Sequence, residues 1–96
     1  MVTVWTPQAI AELRKAYDYI SKDSPQSARK VVDEIVRIAD LLPTEPEMFP
    51  PDKFKKVNDG AWRAFEKFHY RISYRITPGE IRIVRMRHTS RTPLQY

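Results

Sequence analysis

Ninety-six residues, 42% of them apolar, make one domain (1–96) with a modest core and no room for a deep internal pocket. The absence of cysteine excludes disulfides and thiolate metal sites, and the two histidines, His69 and His88, stand far apart in sequence; no metal or cofactor is expected. The net charge of +5 is polarised: residues 1–50 carry a net −2 and residues 51–96 a net +7, a footprint suited to nucleic acid or a strongly acidic protein, its plainer reading being a solvated basic surface kept for solubility.

No apolar run approaches the ~20 residues of a membrane span, and the N-terminus shows no basic segment followed by an apolar stretch. The expectation is a cytoplasmic protein with no membrane association. Val2–Trp5 is short and β-branched and predicts an edge strand. Thr6-Pro7 has the form of a helix start, with Thr6 as N-cap and Pro7 at the first helical position. Trp5 and Ile10 fall at the spacing of a hydrophobic staple. Ile10, Leu13, Tyr17 and Ile20 recur at helical intervals beside Ala9 and Ala16, and this helix should end near Ser21. Ser24-Pro25 repeats the start signal. Ala28, Val31, Val32, Ile35, Ile38, Ala39 and Leu42 form the second stripe, which Pro43 stops. The two helices predict an αα-hairpin.

A proline-rich connector (Pro43, Pro46, Pro50, Pro51) leads to Lys53, Lys55 and Lys56 and to the turn Asn58-Asp59-Gly60. Trp62–Phe68 reads as an aromatic-rich strand. In Tyr70–Ile76 apolar and polar residues alternate, so Tyr70, Ile72, Tyr74 and Ile76 should face a core and Arg71, Ser73 and Arg75 should face outward. After the turn Thr77-Pro78-Gly79-Glu80, residues 81–88 form a third arginine-rich strand. Strict alternation there groups Arg85 and Arg87 with Ile81 and Ile83, and His88 with Val84 and Met86. A polar tail, 88–96, follows. The fold class is α+β, a helical hairpin packed on a small antiparallel sheet, in the order β-α-α-β-β-β.

The chain has no paired carboxylates, glycine-rich phosphate loop or nucleophile elbow. Its arginines, histidine, lysines and tyrosine suffice for one reaction, cleavage of RNA through its own 2′-hydroxyl. That reaction needs a base, cations around the phosphorane and an acid for the leaving oxygen, and no metal.

The element order, the middle strand Tyr70-Arg71-Ile72-Ser73-Tyr74 and the ending Arg87-His88…Tyr96 resemble the RelE/ParE superfamily of bacterial toxins. The opening Trp5-Thr6-Pro7-Gln8-Ala9, the segment Tyr17–Ile20 and Ala28-Arg29 are more similar to the ParE side. The resemblance implies the toxin of a type II toxin–antitoxin system for plasmid stabilisation or growth control, neutralised by a short acidic antitoxin. RelE-like members cut mRNA on the ribosome; ParE-like members poison DNA gyrase. By resemblance, Arg71 matches the arginine that RelE-like nucleases use at the scissile phosphate. Arg87-His88 and Tyr96 resemble the endings of two ribonuclease branches. Arg63 stands near the place of a catalytic lysine, which leaves His88 or one of Lys53, Lys55 and Lys56 as the base.

The leading expectation is thus a metal-independent, ribosome-dependent endoribonuclease. Arg71 and Arg63 clamp the phosphate, His88 with Tyr96 or Arg91 moves protons, and Lys53, Lys55, Lys56, Arg75, Arg87 and Arg91 bind RNA. This requires guanidinium groups from separate stretches to converge beside one imidazole. The alternative is a non-enzymatic inhibitor of gyrase in which the same arginines serve recognition.

Overall fold

A computed structural model describes residues 1–91 and 95–96, so part of the polar tail lies outside the described residues. The elements are β1 (Val2–Trp5), α1 (Pro7–Ser21), α2 (Pro25–Leu41), β2 (Trp62–Lys67), β3 (Tyr70–Thr77) and β4 (Glu80–His88). The sheet order is β1-β4-β3-β2. The β2–β3–β4 meander is antiparallel as expected, but β1 pairs with β4 in parallel, so the sheet is mixed. A hairpin of two helices between β1 and the meander returns the chain to the far side of the sheet, and β1 is left to run alongside β4.

Both helix starts form as their sequences dictate. Thr6 Oγ1 accepts the Ala9 N–H at 3.1 Å and Ser24 Oγ accepts the Ser27 N–H at 3.1 Å, each just before a proline at the first helical position. The stripe of α1 is rotated from the expected one. Ala9 and Ala16 are buried and Leu13 and Ile20 pack on the core, while Ile10 and Tyr17 stay 39% and 37% exposed. The positions that touch the sheet are alanines because a helix lying close on a sheet leaves room for little else. Ile35, Ala39 and Leu42 of the second helical stretch complete that layer against Phe65, Ile72, Tyr74, Ile81, Ile83 and Met86.

Tyr74 is fully buried at the centre and donates its hydroxyl proton to the Pro46 carbonyl at 2.8 Å. Burial pushes its phenol up to about 12. This bond helps tie the proline-rich connector to the core.

Two local features set the geometry of the other face. Between β3 and β4 the pairing slips: Ser73 faces Arg85 but Tyr74 faces Ile83, so Val84 is an extra residue, a β-bulge. Beyond it the alternation of β4 is inverted. Met86 and His88 now share the helix side with Ile81 and Ile83, and Arg85 and Arg87 move to the open side with Arg71 and Ser73. Strict alternation placed these arginines wrongly because it cannot register an inserted residue. The β2–β3 hairpin turns on Phe68 and His69, both left-handed (φ 53° and 67°), so β2 ends at Lys67 rather than Phe68. Two-residue hairpins need this twist, usually supplied by Asn-Gly.

Candidate functional site

The open face of the sheet is organised by one acid. Asp52 is 2% exposed and lies where the connector runs along β2, its N–H donated to the Trp62 carbonyl at 2.8 Å. Its Oδ1 accepts the Phe54 N–H at 3.0 Å and Arg71 Nη2 at 2.7 Å, and its Oδ2 accepts the Tyr96 hydroxyl at 2.5 Å. Burial by itself would raise its pKa; the Tyr96 hydroxyl, the Arg71 guanidinium and the Phe54 amide outweigh burial and hold it below the ordinary carboxylate value. Arg71 is shared further: Nη1 reaches Glu66 Oε2 at 3.0 Å, and the guanidinium lies over the Phe54 ring at 4.8 Å.

Tyr96 is held on three sides. Its N–H donates to the Phe54 carbonyl at 3.0 Å, its carbonyl accepts the Lys56 N–H at 2.6 Å, and its ring meets Trp62 edge-on at 5.6 Å. Burial first, and then the hydrogen bond to the Asp52 carboxylate, raise its phenol above the ordinary tyrosine value. A phenol so placed is a poorer proton donor to anything else. Several nearby cations rest on rings rather than on acids: Lys55 over Trp62 (4.7 Å) and Tyr96 (5.1 Å), Arg75 over Trp62 (5.0 Å) and Lys53 over Phe54 (5.3 Å).

The nuclease reading expected Arg71 and Arg63 to meet beside His88, with Tyr96 or Arg91. Arg71, Arg91, His88 and Tyr96 do line one small cavity, of about 100 Å³, together with Ser73, Arg85 and Arg87. That is below the roughly 300 Å³ at which ligand pockets begin. Ser73, expected in solvent, is 6% exposed because Tyr96 and the 52–56 segment cover this part of the sheet. Arg85 Nε stands 3.5 Å from Glu12 Oε2, an ion pair without hydrogen-bond geometry.

Arg63 does not join the cluster. Its register with Tyr74 puts it on the helix side, where Nε donates to the Gly60 carbonyl (2.9 Å) and Nη1 to the Phe49 carbonyl (2.7 Å). It is a structural tie for the connector and cannot clamp a phosphate with Arg71. His88 also pairs on the helix side, opposite Tyr70, and its ring meets the Tyr70 ring edge-on at 5.1 Å. Its Nδ1 accepts the Ser90 N–H at 3.1 Å, which leaves the other nitrogen carrying the proton in the neutral ring. By strand register the His88 side chain stands on the face opposite to Arg71, although both residues are among those lining the small cavity. Lys56 is exposed and Lys53 and Lys55 are arrayed along the 53–56 segment beside the site, not inside it. From the sequence, Asp52 and Glu66 are the only acids within plausible strand or loop reach of the arginines, and both do meet Arg71; that Asp52 is the hub of the site is not legible there.

The fold has a known counterpart. A family model described as the ParE toxin of the type II toxin–antitoxin system parDE matches residues 3–93. The chain belongs to the ParE toxin family. No curated protein matches it significantly in sequence. Among solved structures it is similar to one titled the chromosomal ParDE TA system from P. aeruginosa, with 25% identity, a TM-score of 0.71, and coverage of 92% of this chain and 95% of that one. As a ParE toxin it implies a cognate antitoxin as partner. Among the described residues no helix is long and apolar enough to cross a membrane.

Proposed function

We propose that this ParE-family toxin arrests growth by binding a protein target, with DNA gyrase the target that the resemblance to ParE implies, and not by cutting RNA. The observation that carries this reading is the commitment of the nuclease candidates to partners inside the chain. Arg71 is neutralised by Asp52 and Glu66, the Tyr96 hydroxyl donates its hydrogen bond to Asp52, Arg63 is tied to carbonyls on the far face, and the register of His88 is that of the helix side. The Arg71–Arg63 clamp that the nuclease reading requires is therefore missing: one guanidinium is compensated by two carboxylates and the other is tied to carbonyls on the far face. A protein surface needs no such convergence; cations held flat on aromatic rings serve recognition as they stand.

The test is induction of the toxin followed by two readouts from the same cells. Gyrase-linked DNA breaks or lost supercoiling, with intact mRNA, is the expected result. Codon-phased 5′ ends on translated messages that vanish in Arg71→Ala and His88→Ala would overturn the reading in favour of the ribonuclease. Supercoiling by purified gyrase with and without the toxin gives the same decision outside the cell.

A further inference from the structure

We infer that the open face of the sheet carries, apart from the Arg71 cluster, a row of cations that binds the phosphodiester backbone of nucleic acid without reading its sequence. This goes beyond the protein target proposed above and does not depend on it.

Strand register sets the row. Trp62 on β2 faces Arg75 on β3, Arg75 faces Arg82 on β4, and Arg82 faces Val4 on β1. The row stands on the open side, because Arg75 shares its face of β3 with Arg71 and Ser73. Lys55 reaches it from the connector, with Nζ 4.7 Å from the centre of the Trp62 ring. The Arg75 guanidinium lies 5.0 Å from the same ring. Lys53 and Lys56, both exposed, flank Lys55 along the chain.

Arginines face each other across β3 and β4 at two levels, Arg71 with Arg87 and Arg75 with Arg82. Like charges directly opposite repel. At the first level the chain supplies its own answer, since Asp52 and Glu66 both hold Arg71. At the second it does not. Arg75 is exposed and makes no ion pair among the described residues, and Arg82 has only Glu80 of its own strand, at 3.5 Å. Lys53, Lys55 and Lys56 also have no carboxylate partner among the described residues. The acids in reach are committed: Asp52 and Glu66 to Arg71, and Asp59 to the Ala61 N–H at 3.0 Å. The anion that balances this row therefore comes from outside the chain.

The form of the row says which anion. A guanidinium matches the oxygens of a phosphate. The Trp62 ring holds Lys55 and Arg75 in place without neutralising them, so little order is lost when a ligand arrives. Separate cations set in a line suit a ligand whose charge repeats along a chain. An acidic peptide is held through an open strand edge or in a groove. Arg75 and Arg82 instead stand on strands that are paired on both sides at this level. Phosphate contacts carry no base information, so sequence should not matter.

The test is fluorescence anisotropy of the full chain with labelled probes of equal length: a single strand of DNA, the same sequence as RNA, and the DNA duplex. Binding at low salt is expected, weakening as salt rises and indifferent to scrambling of the bases; the probe held most tightly names the source of the backbone. Arg75→Glu weakens binding by about 10- to 100-fold and lowers the slope of log affinity against log salt by about one. Its urea midpoint holds or rises, because the new carboxylate faces Arg82. Lys53→Glu with Lys56→Glu, at exposed positions, weakens binding by about 10-fold and decides the matter should Arg75→Glu fail to fold. Lys30→Glu, on the helix layer, leaves the affinity unchanged. Three results overturn the inference: no binding to any probe, an equal loss in Lys30→Glu, or a polyglutamate peptide of the same charge bound as tightly as the nucleic acids. Inhibition of purified gyrase is measured apart from these, so the target reading survives any of them.

Discussion

The two faces of one sheet are held by different physics. The helix side is closed by apolar fit: Ile72, Tyr74, Ile81 and Ile83 are each fully buried beneath alanines and isoleucines of the hairpin. The open side has no helix over it. There Arg71 and Arg87, like charges, are direct cross-strand neighbours, an arrangement that repels unless something neutralises it. Asp52 and Glu66 do so from one side, and the aromatic rings of Phe54, Trp62 and Tyr96 cover the rest. The first face is stable because many residues contribute a little each. The second depends on one buried carboxylate, and that concentration is what separates it from a free catalytic cluster.

The sharpest way to set the two faces apart is to cut each at its centre. Ile72→Ala should cost about 2–5 kcal/mol, read as a lower midpoint in urea, since it opens a cavity in a closed layer. Asp52→Asn should cost about 2–3 kcal/mol, because it leaves Arg71 less compensated and Tyr96 with a weaker acceptor, while the helix side stays folded. If Asp52→Asn were neutral, the open face would owe its order to the rings alone.

Acid should weaken the open face before the core. The folded-state pKa of Asp52 is depressed, so its contribution is complete above the value of an unfolded aspartate and is lost as pH falls through the lower folded value. Urea midpoints taken from pH 7 down to pH 3 should fall with a slope that Asp52→Asn visibly flattens. An identical slope in both proteins would assign the acid sensitivity elsewhere.

Smaller effects bound the comparison. Phe68→Asn with His69→Gly should stabilise the chain by about 1–2 kcal/mol, because both residues now hold left-handed angles that suit Asn and Gly better. A loss instead would mean that the Phe68 or His69 side chain contributes more than the turn strain removes. Arg37→Ala, which breaks a surface pair with Glu34, should leave the midpoint nearly unchanged.

Much of the scaffold was legible in the sequence because it is written in local patterns. The Thr6-Pro7 and Ser24-Pro25 starts, the period-two run from Tyr70 to Ile76 and the Pro78-Gly79 turn, with Gly79 at φ 83°, each carry their own structural reason within a few residues. The site was less legible. The positions of Arg85, Arg87 and His88 depend on a single inserted residue at Val84, and no local pattern announces a bulge. Arg63 looked equivalent to Arg71 until strand register put them on opposite faces.

The sequence alone therefore determined the element order, the ParE-like resemblance and the polarised charge, since these follow from side-chain period, capping residues and composition. Only the tertiary structure decided which charges are free. A guanidinium is available to a partner or spent within the chain according to whether a carboxylate such as Asp52, nineteen residues from Arg71, is carried to it, and that is set by the path of the connector through the fold.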